Sequence, residues 1–283
     1  PLGTAPGWWV ERDGKIIICM PGPPAEMHPM WEGQVEQRLR QMVHDEVTLT
    51  RNIKTMGMSE GAVDEVISEY FGNENPYLGI YSKADGIHLR IIARARDISA
   101  ARLMVDPVEQ AIIDRLGSYI WGYDDDTPEQ ALGRTLKEKG LTLATMESST
   151  GGYLANTITE VPDSAVYFKG GVVAYSDAAK TTYGVPAETI RKHGGVSQET
   201  ANAMARTIAQ NMGTDFGIGI TGVAGPSEQE GKPVGLIYMA ISGPDGEKEL
   251  QLQLPPRRIT IKRRVSNTAL IELNRLVTAD GAV

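Results

Sequence analysis

An apolar run, Leu141-Thr142-Leu143-Ala144-Thr145-Met146, leads directly into Glu147-Ser148-Ser149-Thr150-Gly151-Gly152 and then into Tyr153-Leu154-Ala155-Asn156-Thr157-Ile158. The run alternates apolar residues with threonine, as a strand does, and the last segment has helical composition and spacing. The reading is strand, tight turn, helix N-terminus, which commits this part of the chain to an α/β arrangement. Small hydroxyl side chains and backbone N–H groups then surround one spot, where partial positive charge favours an anion or a developing oxyanion. On these residues alone two readings stay open: Ser and Thr as helix caps, or one of them as a nucleophile.

Composition narrows the class. A chain of 283 residues exceeds one average domain, so two or three units are expected. A net charge of −8 and a pI of about 5.2 argue against general binding to nucleic acid or to an anionic membrane, so any phosphate site must be a local basic patch. The one cysteine, Cys19, lies in the strand-like run Lys15-Ile16-Ile17-Ile18-Cys19-Met20; it allows no intrachain disulfide and no thiolate zinc cluster, and a buried structural thiol is expected. There is no apolar stretch of about 18 residues and no charged-then-apolar leader, which makes the cytoplasm the default location. The chain begins Pro1-Leu2-Gly3 rather than with Met, as a fragment or a processed chain would.

Residues 1–45 read as the end of a domain. Gly3-Thr4-Ala5-Pro6-Gly7 is loop chemistry, and a β-hairpin runs from Trp8-Trp9-Val10 through a turn at Arg12-Asp13-Gly14-Lys15 to Ile16-Ile17-Ile18. Pro21-Gly22-Pro23-Pro24 breaks the chain before a helix from Pro29 to Val43. A hairpin and one helix bury too little surface to stand alone, so a further N-terminal part is expected. Residues 46–122 follow a β-α-β-β-α order: a strand at Val47-Thr48-Leu49-Thr50, a helix from Ala62 to Tyr70 capped by Ser59, strands from Tyr77 to Tyr81 and Ile87 to Ala95, and a helix from Ser99 to Leu116. That is a small α+β domain with its helices on one face of a sheet. The order is K-homology-like. The turn from Gly57 to Gly61, however, holds three residues between its glycines, Glu60 among them, where an RNA-clamping loop holds two. A structural role is expected here, and nucleic acid is not an expected partner. Asp124-Asp125-Asp126 reads as a solvated acidic linker before a helix capped by Thr127, opened by Pro128 and closed by Gly140.

The last domain gathers the remaining chemistry. A short strand, Val172-Val173-Ala174-Tyr175-Ser176, precedes a helix over Ala178-Ala179-Lys180-Thr181-Thr182-Tyr183 that Ser176 and Asp177 cap. Lys180 thus lies in the first turns of a helix, where lysine is electrostatically disfavoured; if it is also buried, the neutral amine of a general base is favoured. A surface lysine is the other reading. Ser197 caps an amphipathic helix from Gln198 to Met212. Asp215 to Thr221 is a strand with two glycines, which permit close approach of another backbone. It runs into Gly222-Val223-Ala224-Gly225-Pro226-Ser227, a glycine-rich loop at the end of a buried strand, where α/β domains bind ligands. Gly225 to Gly231-Lys232 resembles a phosphate loop, but five residues intervene rather than four and Pro233 replaces the Ser or Thr, so a nucleoside-triphosphate site is not expected. Strands follow at Val234 to Ile241 and Leu250 to Leu254. Arg257, Arg258, Lys262, Arg263 and Arg264 open the final helix and either hold a phosphate or form a solvated face.

Four motifs in this order resemble the CinA family, whose C-terminal domain is a nicotinamide mononucleotide (NMN) deamidase. They are Glu147-Ser148-Ser149-Thr150-Gly151-Gly152, the run from Gly170 through Tyr175-Ser176-Asp177 to Lys180, His193-Gly194-Gly195-Val196-Ser197, and Thr221-Gly222-Val223-Ala224-Gly225-Pro226 with Lys232-Pro233-Val234-Gly235. Ser149 stands where the family commonly has Cys. The resemblance implies an α/β protein: a three-layer α/β deamidase domain over 127–283, a K-homology-like α+β domain over 46–122, and over 1–45 the tail of a domain related to molybdopterin-binding proteins. Gly3 to Gly7 and Pro21-Gly22-Pro23-Pro24-Ala25-Glu26-Met27 carry the last of these likenesses. In some members that N-terminal domain is a metal-dependent ADP-ribose pyrophosphatase. Most of it is absent from this sequence, and the activity is not expected of it.

By motif position the resemblance implies Ser148 as nucleophile, Lys180 as its base and Tyr175 as an assisting hydroxyl, a variant of the catalytic-triad logic. Around the substrate it implies Ser149, Thr150, Gly151, Gly152, Gly171, Thr221, Gly222, Ala224 and Gly225. Arg258 and Arg264 are expected near the phosphate. The oxyanion is expected on N–H groups near Thr150-Gly151 or in the Thr221-Gly222 loop. The implied reaction is amide hydrolysis of NMN to nicotinic acid mononucleotide and ammonia in pyridine nucleotide recycling, by a homodimer, with no metal or organic cofactor. Two rivals remain: a non-catalytic nucleotide-binding scaffold tied to competence, and ADP-ribose hydrolysis through the N-terminal part.

Overall fold

The computed structural model describes residues 5–42 and 46–279. In the first unit β1 (Trp8–Arg12) and β2 (Lys15–Cys19) pair antiparallel, with Trp8 opposite Cys19 and Arg12 opposite Lys15. Asp13 and Gly14 both have positive φ, as a two-residue hairpin turn matched to strand twist requires. A continuous helical stretch then runs through α1 (Pro24–Met30), a π-turn over Trp31–Val35 and α2 (Glu36–Met42). It begins at Pro24 rather than Pro29, because proline supplies the fixed φ of a first helical position. The π-turn follows Pro29, which has no N–H to give to the helical ladder. The loop residues Gly3 and Thr4 and the expected helix end at Val43 lie outside the described residues. Cys19, expected buried, is exposed: strand alternation turns Ile16 and Ile18 inward and leaves Cys19 on the other side.

The second unit comprises β3 (Val47–Thr55), α3 (Glu60–Ile67), β4 (Tyr77–Lys83), β5 (Gly86–Ala95), α4 (Ile98–Leu116) and β6 (Ile120–Tyr123). Its four strands form an antiparallel sheet of order β4-β5-β3-β6. One core, with Val63 and Ile67 of α3, Ile112 and Leu116 of α4, and Ile53, Leu89 and Ile91 from the sheet, shows both helices on one face, as expected. The acidic linker is not simply solvated. The Asn52 N–H donates to Asp124 at 2.9 Å, the Tyr123 N–H donates to Asp126 at 2.9 Å, and Arg134 donates to Asp126 at 2.6 Å. Asp124 also pairs with Arg51, so only Asp125 of the three is without such a partner among the described residues. The backbone is left-handed at Asp124 (φ 44°), and the carboxylates of Asp124 and Asp126, on either side of Asp125, both turn back onto the domain.

The third unit runs α5 (Pro128–Lys139), β7 (Leu143–Glu147), α6 (Tyr153–Thr159), β8 (Phe168–Val173), α7 (Asp177–Thr182), α8 (Ala187–His193), α9 (Gln198–Met212), β9 (Phe216–Gly222), β10 (Leu236–Gly243), β11 (Gly246–Gln253) and α10 (Arg258–Ala279). The sheet order is β11-β10-β9-β7-β8; β7 is parallel to β8 and β9, and β10 is antiparallel to β9 and β11. Leu132, Leu136, Leu154, Ile158, Ile261 and Val265 bury α5, α6 and α10 against one face of the sheet. Ala203, Met204 and Ile208 bury α9 against Ala144 and Met146 on the other, giving the expected three layers.

The two strand glycines do what the sequence requires of them. A Cβ on Gly217 would lie 2.1 Å from the Ala205 carbonyl oxygen, and one on Gly219 would lie 2.2 Å from that of Ala201. The strand expected at Val172 to Ser176 instead covers Phe168–Val173. Gly170 and Gly171, which precede the expected strand, belong to it; a Cβ on Gly171 would lie 2.5 Å from Thr145 Oγ1 of the neighbouring strand. Tyr175 therefore sits in the loop after the strand.

Candidate active site

Three loops meet at the C-terminal ends of β7, β8 and β9, the end of a parallel sheet where α/β domains place ligands. Together with the start of α10 they enclose a cavity of about 110 Å³, lined in part by Ser148, Ser149, Tyr175, Lys180, Gly222, Ala224, Gly225 and Arg258. All eight were expected at the site. They arrive from four separate parts of the chain.

Ser148 follows the last residue of β7, and its N–H donates to the Ile220 carbonyl at 2.9 Å, which fixes it to the neighbouring strand. It is 6% exposed, and its Oγ donates to the Tyr175 carbonyl at 3.4 Å. The turn that follows is not capped by its hydroxyls. Gly152, at φ 86°, occupies the cap position of α6 with no side-chain bond. Glu147, 1% exposed, does the capping instead: it accepts from the Leu154 N–H at 3.1 Å and the Ala155 N–H at 2.8 Å. A carboxylate on the first N–H groups of a helix satisfies orphan donors and complements the helix dipole. This frees the Ser149 and Thr150 hydroxyls; both Oγ atoms are buried and have no partner among the described residues.

Lys180 is 3% exposed, which excludes the surface reading. α7 has only six residues, so Lys180 is as near its C-terminal end as its start, and the expected dipole penalty has no special hold on it. Its Nζ donates to Asp177 Oδ1 at 3.1 Å, a partner the sequence reading missed although the two are three apart on one helix. Lys180 and Ser148 face the same cavity, each with another partner; no hydrogen bond joins them among the described residues. Tyr175 is 60% exposed, and its Oη accepts from Arg258 at 3.2 Å. Arg258 also donates to the Gly225 carbonyl at 2.5 Å, tying α10 to the glycine-rich loop at the cavity mouth.

Six expected residues do not line the cavity. Thr150 and Thr221 are buried in the packing, and the Thr221 hydroxyl donates to the Gly195 carbonyl at 2.7 Å. Gly151 and Gly152 carry the left-handed turn, and Gly171 lets β8 pack against β7. Arg264 borders a separate cavity beside Gly57, Ser59 and Lys83 of the second unit. Helical rotation explains it: Arg258 and Arg264, six residues apart on α10, point to different faces. Of the expected oxyanion donors, the Gly151 N–H is spent on the Ser148 carbonyl, whereas the Thr150 N–H has no backbone partner among the described residues. The sequence reading missed Val196, Val223, Ser227 and Gln229 as lining residues. The His193 to Ser197 motif contains the first of them and the Gly222 to Ser227 loop the next two; nothing in the composition beyond that loop marked Gln229.

Among the described residues no helix is long and apolar enough to cross a membrane. Family comparison matches residues 125–277 to the CinA C-terminal domain and residues 50–122 to the damage-inducible protein CinA KH domain. The chain is 42% identical over 283 residues to a competence-damage inducible protein of Moorella thermoacetica, covering 99% of this chain and 68% of that one. It is also 42% identical over 255 residues to a CinA-like protein of Kosmotoga olearia, covering 88% of this chain and 62% of that one. The chain thus spans about two thirds of the length of these curated relatives. Among solved structures, the competence damage-inducible protein A of Klebsiella pneumoniae MGH 78578 is 30% identical with a TM-score of 0.52, and covers 54% of this chain and 98% of its own. A CinA superfamily protein from Klebsiella pneumoniae 700603 is 29% identical with the same TM-score of 0.52, and covers 54% of this chain and 96% of its own. With both of its larger domains matched in order and its length aligned almost throughout to such a relative, the chain belongs to the CinA family.

Proposed function

We propose that residues 127–283 hydrolyse the carboxamide of NMN, releasing ammonia and nicotinic acid mononucleotide. The observation that carries this reading is the convergence on one cavity of a buried serine after a strand, a buried lysine, and a tyrosine held by an arginine. Ser148 Oγ attacks the carboxamide carbon and its proton passes to Lys180 Nζ, which acts as the base. Asp177 orients Nζ by accepting its hydrogen bond. The proton then goes to the departing nitrogen, ammonia leaves, and water cleaves the resulting ester to regenerate Ser148. The N–H of Ser149, the residue after the nucleophile, is a suitable oxyanion donor, since among the described residues it has no other partner. The cavity, about 110 Å³, is smaller than the roughly 300–1,000 Å³ of a site that encloses a whole drug-sized ligand. The pyridine carboxamide therefore enters it, and the ribose phosphate extends toward the mouth, where Arg258 stands exposed.

Ammonia release from NMN, with nicotinamide and nicotinamide riboside as comparators, tests the reading. Ser148→Ala and Lys180→Ala are each expected to reduce kcat by about a thousandfold or more while the protein still melts cooperatively. Near wild-type turnover in either variant removes the dyad. Wild-type protein that binds NMN without releasing ammonia favours the scaffold reading instead.

A further inference from the structure

The loop between β9 and β10 contributes Ser227 and Gln229 to the cavity and is otherwise exposed from Pro226 to Gly231. Two of its charged side chains nevertheless turn inward onto the backbone of the turn before α9. Glu230 accepts from the Gly195 N–H at 3.2 Å through one carboxylate oxygen and from the Val196 N–H at 3.1 Å through the other. Lys232 Nζ donates to the Val196 carbonyl and lies 3.7 Å from Glu230. Glu230 itself is held at φ 53°, a conformation few non-glycine residues adopt.

The double glycine admits these groups. A Cβ on Gly194 would sit 2.3 Å from Glu230 Oε2, and a Cβ on Gly195 would sit 2.1 Å from Asp177 Oδ1. Two carboxylates therefore lie directly against this glycine pair, one from the loop and one from α7. The second is the carboxylate that accepts from Lys180 Nζ at 3.1 Å. From the sheet side, Thr221 Oγ1 holds the Gly195 carbonyl at 2.7 Å.

We propose that Glu230, with Lys232, is a positioning residue for Lys180: it clamps the Gly195-Val196 backbone, which sets where Asp177 rests and so where Nζ is aimed. The inference rests on the amide-hydrolysis reading for its kinetic consequence but not for its geometry. Glu230 touches no reacting atom, and its effect reaches the base through Gly195 and Asp177. Carboxylate hydrogen bonds to two successive N–H groups are among the stronger ones a loop can make, which suits a part that must not drift. The same clamp fixes Ser227 and Gln229 in the cavity wall.

The test uses the full chain with Glu230→Gln, which keeps the side-chain length but replaces one acceptor by a donor, and Lys232→Met as an independent second variant. The first readout is steady-state ammonia release from NMN: kcat is expected to fall about 10- to 100-fold with KM changed less than about threefold, as for a displaced catalytic group. The second is the rate at which Lys180 is acetylated by N-hydroxysuccinimidyl acetate, followed on its peptide by mass spectrometry, with a change of at least about threefold expected in folded variants. A loop with a merely structural role lowers the melting temperature and moves neither readout. If kcat stays within twofold of wild type, or if Lys180 acetylation is unchanged in both variants, the inference is overturned. Should wild-type protein release no ammonia from NMN, the functional reading falls by itself and the acetylation rate alone decides the clamp.

Discussion

Glu147 decides where Ser148 stands. Both of its oxygens are engaged by N–H groups of α6, at 2.8 and 3.1 Å, in a setting almost closed to water. Glutamine at this position keeps one acceptor and turns an NH₂ toward the other N–H, leaving a buried donor unmet at a cost of about 1–3 kcal/mol. Glu147→Gln is therefore expected to lower the urea midpoint by that energy and to reduce kcat for ammonia release more than it raises KM. An unchanged midpoint contradicts the capping role. The sequence announced the hydroxyl-rich turn but not which of its groups caps the helix, because any Ser, Thr or Glu before a helix can do so. The choice is made by the Ile220 carbonyl, which takes the Ser148 N–H from a strand more than seventy residues away. Non-local contact likewise sent the Thr221 hydroxyl to the Gly195 carbonyl and into the packing rather than into the cavity.

Elements with strong local signals were legible. α3, α5, α7 and α9 begin at the caps their sequences offered, Ser59, Thr127, Ser176 and Ser197, each of which accepts an N–H from three residues on. α8 was not, since its seven residues are too few for an apolar period to stand out. Nor was the start of β8, an edge strand that takes in Gly170 and Gly171, the second of them packed against Thr145 and Ala155. That another backbone can lie close on β9 was readable from its two glycines; that it is the backbone of α9 was not. The contact gives a sharp prediction. Gly219→Ala puts a methyl 2.2 Å from the Ala201 carbonyl oxygen, so either the helix moves away or the strand bends. The expected loss is at least about 2 kcal/mol, the range of a core forced to overpack. Gly61→Ala, inside α3 with nothing within 4 Å, is expected to be neutral or to stabilise by up to about 1 kcal/mol. Urea midpoints at equal slope decide it, and equal effects at the two sites contradict the packing account.

At the scale of the whole molecule, the second and third units are joined by polar contacts rather than by the short linker alone. Arg275 of α10 donates to the Met56 carbonyl at 2.6 Å and the Tyr119 carbonyl at 3.0 Å, and Lys54 donates to the Asp126 carbonyl at 2.6 Å. The turn from Gly57 to Gly61, at the place in the K-homology-like order where an RNA-clamping loop would stand, lines with Arg264 and Thr268 of α10 a cavity of about 280 Å³. The junction carries a titrating group. Burial pushes the Asp126 carboxyl up, but the Tyr123 N–H and the Arg134 guanidinium outweigh it and hold the group below the usual carboxylate range. A carboxyl lowered in the folded state adds stability that is fully present above its unfolded value, about 3.9, and is lost as pH falls through the folded value. Asp126→Asn is therefore expected to melt below wild type at pH 7, with the gap narrowing as pH drops from about 4 toward 2. Calorimetric melts of both proteins across that range read the gap. A gap that stays constant with pH means that Asp126 supports the junction by shape, through hydrogen bonds its amide replacement keeps, and that charge at this corner does nothing to hold the two units together.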